Sequence, residues 1–276
     1  MVTTRFIGRL GNSMFQVAAV MSYAKKYGYE WAVPGDARES AIHRVYPDLP
    51  KTGHHFQGYP RNGYDAAHYE HYEWPAWGDN ILLQGFFQSE RFFENVKDRV
   101  KKIFELPHVP EVEDFVSIHV RRGDFVTHYK SFPPIGEAFL YEAIGKFAIK
   151  KHSVKFMFFS DDIQWCKDFI AKGLHFEIKR EGGGHYKVTD KDLHIEFFED
   201  PNERTSLCFM ASCKHHIICN STFSWWAAYL GHNPDRIVVC PNSRDWYGPE
   251  NSVVTFAKSQ GLEPCRNLIP NGWIQI

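Results

Sequence analysis

No apolar run in this 276-residue chain approaches the roughly 20 residues needed to cross a bilayer. The opening residues, Met1-Val2-Thr3-Thr4-Arg5, lack the charged-then-apolar layout of a signal peptide. Surplus charge is missing as well: 33 acidic residues face 32 basic ones, so nucleic acid as a bulk partner and a polyanionic or membrane surface are not expected. The 6 cysteines (Cys166, Cys208, Cys213, Cys219, Cys240 and Cys265) are too sparse for a disulfide scaffold and form no CxxC pair. These absences predict a soluble, cytoplasmic protein with reduced thiols. Gly8 and Gly11 lack the third glycine of a dinucleotide fingerprint. Asp161 and Asp162 are adjacent rather than split as DxD, and on an alternating strand end they would point apart. His54, His55, His68 and His71 have no acid or cysteine to complete a ligand set. No metal is expected.

Aromatics are plentiful, at 16% of the chain with 23 Phe and 8 Trp, which suits large aromatic cores or sugar-stacking surfaces. A strand over Thr3 to Phe6, a glycine turn and a helix from Met14 to Tyr27 open the chain. Ile81 to Phe86 reads as a strand. Ser89 to Phe104 reads as a helix capped by Ser89. The stretch from about Glu30 to Asn80 has weak pattern, and Leu106 to Glu111 breaks it outright, as a linker would. We therefore divide the chain into an N-terminal domain, 1–110, and a C-terminal domain, 111–276.

After the linker, strands and helices alternate. Strands are predicted at Phe115 to Val120, Lys155 to Ser160, Ile195 to Phe198, His216 to Cys219 and Arg236 to Cys240. Helices fall between them at Glu137 to Lys150, Asp162 to Lys172, Thr205 to Ser212 and Phe223 to Leu230. This is the pattern of βαβ units on a parallel sheet, and it predicts the α/β class. Ligands on such sheets bind beyond the carboxyl ends of the strands. Three of those ends carry chemistry: His119-Val120-Arg121-Arg122-Gly123-Asp124, Ser160-Asp161-Asp162, and Asn220-Ser221-Thr222-Phe223-Ser224.

Arg121 and Arg122 offer forked, permanently charged donors for a diphosphate. Ser221 and Thr222, with the free N–H groups of a helix start, form an anion site. Asp161 or Asp162 can accept paired donors from a guanine edge or ribose hydroxyls. Each feature also has a plainer reading. The arginines could pair with Asp124, Asp162 and Ser221 could cap helices, and Trp225-Trp226 could be core. The glycine loop at Gly8 and Gly11, with amides from Asn12 and Gln16, could approach a ligand or simply turn into a helix capped by Asn12 or Ser13. The tyrosine- and histidine-rich stretch around His68 to Trp77 could be a solvated loop or a sugar-acceptor surface, and Glu181 to His185 reads as a turn.

Taken in order, Gly8-Arg9-Leu10-Gly11-Asn12-Ser13-Met14-Phe15-Gln16, Gly85-Phe86-Phe87-Gln88-Ser89 and the three strand-end motifs, extended through Trp225-Trp226, resemble the ordered motifs of the α-1,2-fucosyltransferases. That resemblance runs from about residue 5 to about residue 245. It implies two Rossmann-like domains facing a cleft in a GT-B-like arrangement, with 1–110 as the acceptor-side domain and 111–276 as the GDP-fucose-binding domain. It implies inverting transfer of L-fucose from GDP-fucose to the 2-hydroxyl of a terminal galactose in an oligosaccharide acceptor, with no metal or cofactor. By resemblance Arg121 meets the donor phosphates, His119 the nucleoside side, and Gly11 and Asn12 approach the donor from the other domain. Arg122, Asp161, Asp162, Ser221, Thr222, Phe223 and Ser224 fall on the donor cradle. Where the family often has an acid ahead of the helix ending at Cys213, this chain has Thr205-Ser206, leaving Glu203 or Ser206 for guanine. Asp124 is the candidate base on the acceptor side; its plainer role is to orient the arginines. A different linkage such as α-1,6, or a noncatalytic carbohydrate- or nucleotide-binding protein, shares the same donor motifs.

Overall fold

The computed structural model describes residues 1–35, 41–53, 74, 76–148, 154–172, 176–179, 185–188, 193–259, 261, 263–265 and 267–276. His54, His55, His68, His71 and the Glu181-Gly182-Gly183-Gly184 run lie outside them. The chain forms two compact units: residues 1–105 with 252–271, and residues 106–251 with 272–276. Residues 252–271, which the sequence reading keeps in the C-terminal domain, group with the first unit.

In the first unit β1 (Val2–Thr4) runs parallel to β4 (Ile81–Leu83). A second pair joins β2 (Val33–Pro34) to β3 (Lys51–Thr52). The helix α1 (Leu10–Tyr27) buries nearly every side chain of its first four turns, as expected of a helix apolar on all sides. It starts earlier than its spacing suggests. Arg9 holds the cap position without a side-chain hydrogen bond, so neither Asn12 nor Ser13 is the cap. A short helix α2 (Ala41–Val45) follows.

The single helix predicted from Ser89 is broken. Ser89 does cap, accepting from Arg91 N at 3.3 Å, but the turn it caps is a 3-10 helix over Glu90–Val96 with non-helical angles at Phe93; α3 (Lys97–Ile103) comes after it. Phe92 and Phe93 are both fully buried. Phe92 stacks on Trp74 at 4.9 Å, whereas Phe93 packs on Phe15 at 6.3 Å. Two consecutive rings drawn to different partners break the regular turn.

The second unit holds the expected α/β architecture: a six-stranded, all-parallel sheet in the order β12-β11-β10-β5-β6-β9. Its strands are β5 (Phe115–Val120), β6 (Val154–Ser160), β9 (Leu193–Phe198), β10 (His215–Ile217), β11 (Val238–Cys240) and β12 (Ile274–Gln275). Between them lie α4 (Gly123–Thr127), α5 (Glu137–Ala148), α6 (Ile163–Ala171), α7 (Glu203–Ser212) and α8 (Thr222–Tyr229). The antiparallel pair β7 (Phe176–Lys179) and β8 (His185–Val188) was not anticipated, nor was α9 (Ser252–Ser259) in the first unit.

All six residues of β5 are buried, because a central parallel strand is covered on both faces. Val116, Ile118 and Val120 join Leu140, Ile144 and Phe147 of α5 and Phe169 of α6 in one core. Each such side chain, removed from water, contributes about 1.5–3 kcal/mol. From β5 the chain steps to β6 and β9 on one side, then returns to lay β10, β11 and β12 on the other. The direction of winding therefore reverses between β5 and β10, and ligands of open α/β sheets bind at such a switch point, beyond the strands' carboxyl ends.

Candidate donor-binding site

Register explains why the three strand-end motifs meet. Val120 lies opposite Ser160, so residues 121 and 161 leave the sheet side by side. Ile118 lies opposite Ile217 on the other flank, which brings Cys219 alongside the end of β5. The Cys219 sulfur sits 3.2 Å from His119 Nδ1, and the Phe223 ring centroid is 5.8 Å from that of His119. The end of β5 thus touches both neighbouring loops.

Arg121 is held by two carboxylates. Its Nη1 lies 2.7 Å from Asp161 Oδ2, and its Nη2 donates to Asp124 Oδ1. Asp161 uses its other oxygen to accept the Arg122 backbone N–H at 2.8 Å. Arg122 turns its side chain the other way: Nε donates to Asp162 Oδ2 at 3.1 Å, and the guanidinium lies over the Trp165 ring at 4.3 Å. Asp162 Oδ1 accepts from Trp165 N at 3.2 Å and so caps α6. The two acids do not point away from the site in opposite directions, as alternation suggests. Both close on the arginine pair, because residue 162 has already left the ladder for the helix cap.

The arginines are followed by the short helix α4, where an open loop was expected. It carries Asp124 in its first turn, half exposed, whereas Arg121 retains 15% side-chain exposure. Ser221 caps α8, accepting from Phe223 N at 3.3 Å. Thr222 opens that helix, and Ser224 is buried and donates to the Ser221 carbonyl at 3.2 Å. Trp225 and Trp226 are fully buried and pack edge-on at 5.1 Å; they are core. At the far end of α8, Arg236 donates to the carbonyls of Ala228 (2.6 Å) and Tyr229 (3.1 Å), satisfying groups the helix end leaves open.

Burial holds the His119 imidazole down at about 4; the nearby Asp161 pulls it up and Arg121 pushes it down. The ring is therefore neutral at ordinary pH. Burial also pushes the Cys219 thiol up to about 12, so it stays protonated. Among the described residues no group of three or more His, Cys, Asp or Glu is arranged to hold a metal ion, and no helix is long and apolar enough to cross a membrane.

The remaining candidates lie on other elements. Gly11 and Asn12 lie in the first turn of α1 in the first unit, not in a loop. Asn12 Oδ1 accepts from Gln88 Nε2 at 2.9 Å, and Gln16 Nε2 donates to the Ile7 and Gly85 carbonyls at 3.3 and 2.9 Å. Ser206 Oγ donates to the Asp200 carbonyl at 3.2 Å, and Glu203 opens α7, which Asn202 caps. Two residues of the site, Trp165 and Asn220, have no role assigned from sequence. Trp165 supports Arg122; its place one turn into α6 was the available signal. Asn220 is 4% exposed, and its Nδ2 donates to the carbonyls of Pro133 (2.9 Å) and Trp246 (3.0 Å). No periodicity could reveal that bridge.

The chain is similar to several characterised glycosyltransferases. It is 28% identical over 210 residues to an alpha-1,2-colitosyltransferase of Escherichia coli, covering 71% of this chain and 63% of that protein. It is 26% identical over 249 residues to the galactoside 2-alpha-L-fucosyltransferase SEC1 of Bos taurus, covering 81% and 62%. The chain thus spans less than two thirds of the length of either relative. Among solved structures it resembles the fucosyltransferase NodZ from Bradyrhizobium, with a TM-score of 0.48 at 13% identity, over 86% of this chain and 94% of that one. The model of glycosyl transferase family 11 matches residues 1–248, a span that includes all three strand ends, and the chain belongs to that family.

Proposed function

We propose that this chain is a metal-independent, inverting α-1,2-fucosyltransferase that uses GDP-fucose and a galactose-terminated oligosaccharide. The observation that carries the reading is Arg121, fixed by Asp161 just beyond the carboxyl end of β5, the strand that borders the switch point and whose His119 meets Cys219 and Phe223 of the α8 side. The linkages in the names of the two relatives, alpha-1,2 and 2-alpha-L, support the 2-hydroxyl as acceptor. Cys166, Cys208, Cys213, Cys219 and Cys240, buried and outside any disulfide, suit a reducing, cytoplasmic setting.

In this reading the galactose oxygen attacks the anomeric carbon of fucose, the bond from that carbon to the diphosphate breaks, and GDP leaves. Charge builds on the departing diphosphate, and Arg121 offsets it most strongly in the transition state. Arg122, Thr222 and the N–H groups at the start of α8 complete the anion cradle, with Ser221, Phe223 and Ser224 shaping it and His119 presenting a neutral ring. Asp161 is the residue that orients Arg121. Asp124, the more exposed partner, is the one a diphosphate displaces; freed, it accepts the acceptor's proton. Asp162 holds Arg122, and Gly11 and Asn12 are assigned to the donor by the resemblance of their motif alone.

A second reading keeps the site and changes the sugar: the similarity to an alpha-1,2-colitosyltransferase supports a colitosyl donor. The test is GDP release from GDP-fucose with and without a β-galactoside, and the same assay with the colitosyl donor. Galactoside-dependent release with a 2-linked product, persisting in excess EDTA, is expected. Loss of activity in EDTA that manganese restores contradicts the metal-independent reading. Donor binding without transfer to any glycan marks a binding protein instead.

A further inference from the structure

We infer that the segment following the arginines, Phe125 to Phe132 with Tyr247, is the platform on which the acceptor sugar stacks. This rests on the glycosyl-transfer reading above and adds a location for its second substrate. No residue of α4 is buried. Val126 is 44% and Tyr129 58% exposed, both among the few large hydrophobic side chains left open in the described residues. Single exposed apolar groups are ordinary; these two lie in the same short segment as a run of rings. Arg121 Cζ lies 5.9 Å from the Phe125 ring centroid, Phe125 stacks on Phe132 at 5.3 Å, and Phe132 meets Tyr247 edge-on at 5.8 Å. The aromatic run begins on the phosphate-facing arginine.

A loose loop could fold such rings away from water, but this one is pinned. Ser131 N and Phe132 N both donate to the His128 carbonyl at 2.9 Å, Gly248 N donates to Ser131 O at 2.9 Å, and Glu250 N donates to Lys130 O at 3.1 Å. Lys130 pairs with Glu250 at 2.9 Å. Asn220 bridges Pro133 O and Trp246 O, tying the loop to the residue just before the α8 cap. Residue 248 must be glycine for this fit, since a β-carbon there would collide with the Lys130 carbonyl. The aromatic surface is therefore preorganised, which lowers the ordering cost of binding.

A pyranose is the occupant this surface fits. Its C–H face stacks on rings, and its hydroxyls meet the polar rim of Thr127, His128 and Lys130. Transfer requires the acceptor oxygen within about 3–3.5 Å of the reacting carbon, so the acceptor must adjoin the diphosphate clamp. Asp124 begins the same short helix.

The test compares Tyr129→Ala and Tyr129→Phe with the native chain, measuring KM for lactose, kcat, and GDP affinity by calorimetry. Tyr129 is exposed, so neither variant threatens the fold. Tyr129→Ala should raise the lactose KM about five- to tenfold, the scale of one lost aromatic contact, with GDP affinity unchanged and Tyr129→Phe near normal. An unchanged KM, or an equal loss of GDP affinity, overturns the platform. Saturation-transfer NMR with a galactoside panel reads the same site without turnover. If the native chain transfers no sugar, the functional reading fails. The platform then still stands or falls on whether Tyr129→Ala abolishes galactoside contact.

Discussion

Asp161 approaches Gly123 so closely that a β-carbon on residue 123 would lie 2.5 Å from Asp161 Oδ2. That oxygen is the one that grips Arg121. Gly123→Ala should therefore displace the carboxylate and loosen the arginine without disturbing the buried strand behind it. We expect GDP affinity to fall about tenfold, the loss of roughly one charge-assisted hydrogen bond, with an unchanged circular dichroism spectrum. Native GDP affinity in this variant would show that Asp161 does not set the geometry of Arg121.

The two carboxylates on Arg121 have separable roles. Asp124→Asn removes only the exposed partner, and exposed ion pairs are worth little. GDP affinity should stay within about threefold, while transfer falls by roughly the 10²–10⁴-fold expected for a lost general base. A parallel fall in both quantities would make Asp124 an orienting residue and place the base elsewhere.

Two buried histidines give the fold a pH dependence of definite sign. Burial holds His119 at about 4 and His216 at about 3, against about 6.5 in an unfolded chain. Below pH of about 6.5 the unfolded chain takes up protons that the native one refuses. Stability from these groups is therefore complete above that pH and is lost as pH falls toward about 4, by up to about 1.4 kcal/mol per pH unit for each histidine. Urea unfolding between pH 7 and 4 checks this. His216→Gln should flatten the slope over that range, and an identical slope would remove His216 from the account.

Much of the second unit was legible because its chemistry is local. A central strand buried on both faces reads as a mostly apolar run, and Phe115 to Val120, polar only at Ser117 and His119, ends where charge begins. The plainer reading of Ser221 and Asp162, as caps, is what their hydrogen bonds show. What escaped the sequence depends on partners far along the chain. The break at Phe93 comes from Phe15 and Trp74, and the hold of Asp161 on Arg121 from the β5–β6 register. Asn220 gives no pattern at all, since its two acceptors are carbonyls on other loops. The start of α1 was misplaced because Arg9 caps with backbone alone. β12 is only two residues long and lies at the sheet edge, too short to show any period.

The central claim is that Arg121 stabilises the departing diphosphate, and single-turnover kinetics on Arg121→Ala and Arg121→Lys with GDP-fucose and a β-galactoside test it most directly. Arg121→Ala should lower kcat by about two to three orders of magnitude, the cost of one lost electrostatic contact to a developing anion. Arg121→Lys should recover little, because an ammonium cannot hold Asp161 and a phosphate with one planar fork. Near-native turnover in either variant, with the fold intact, would contradict the account.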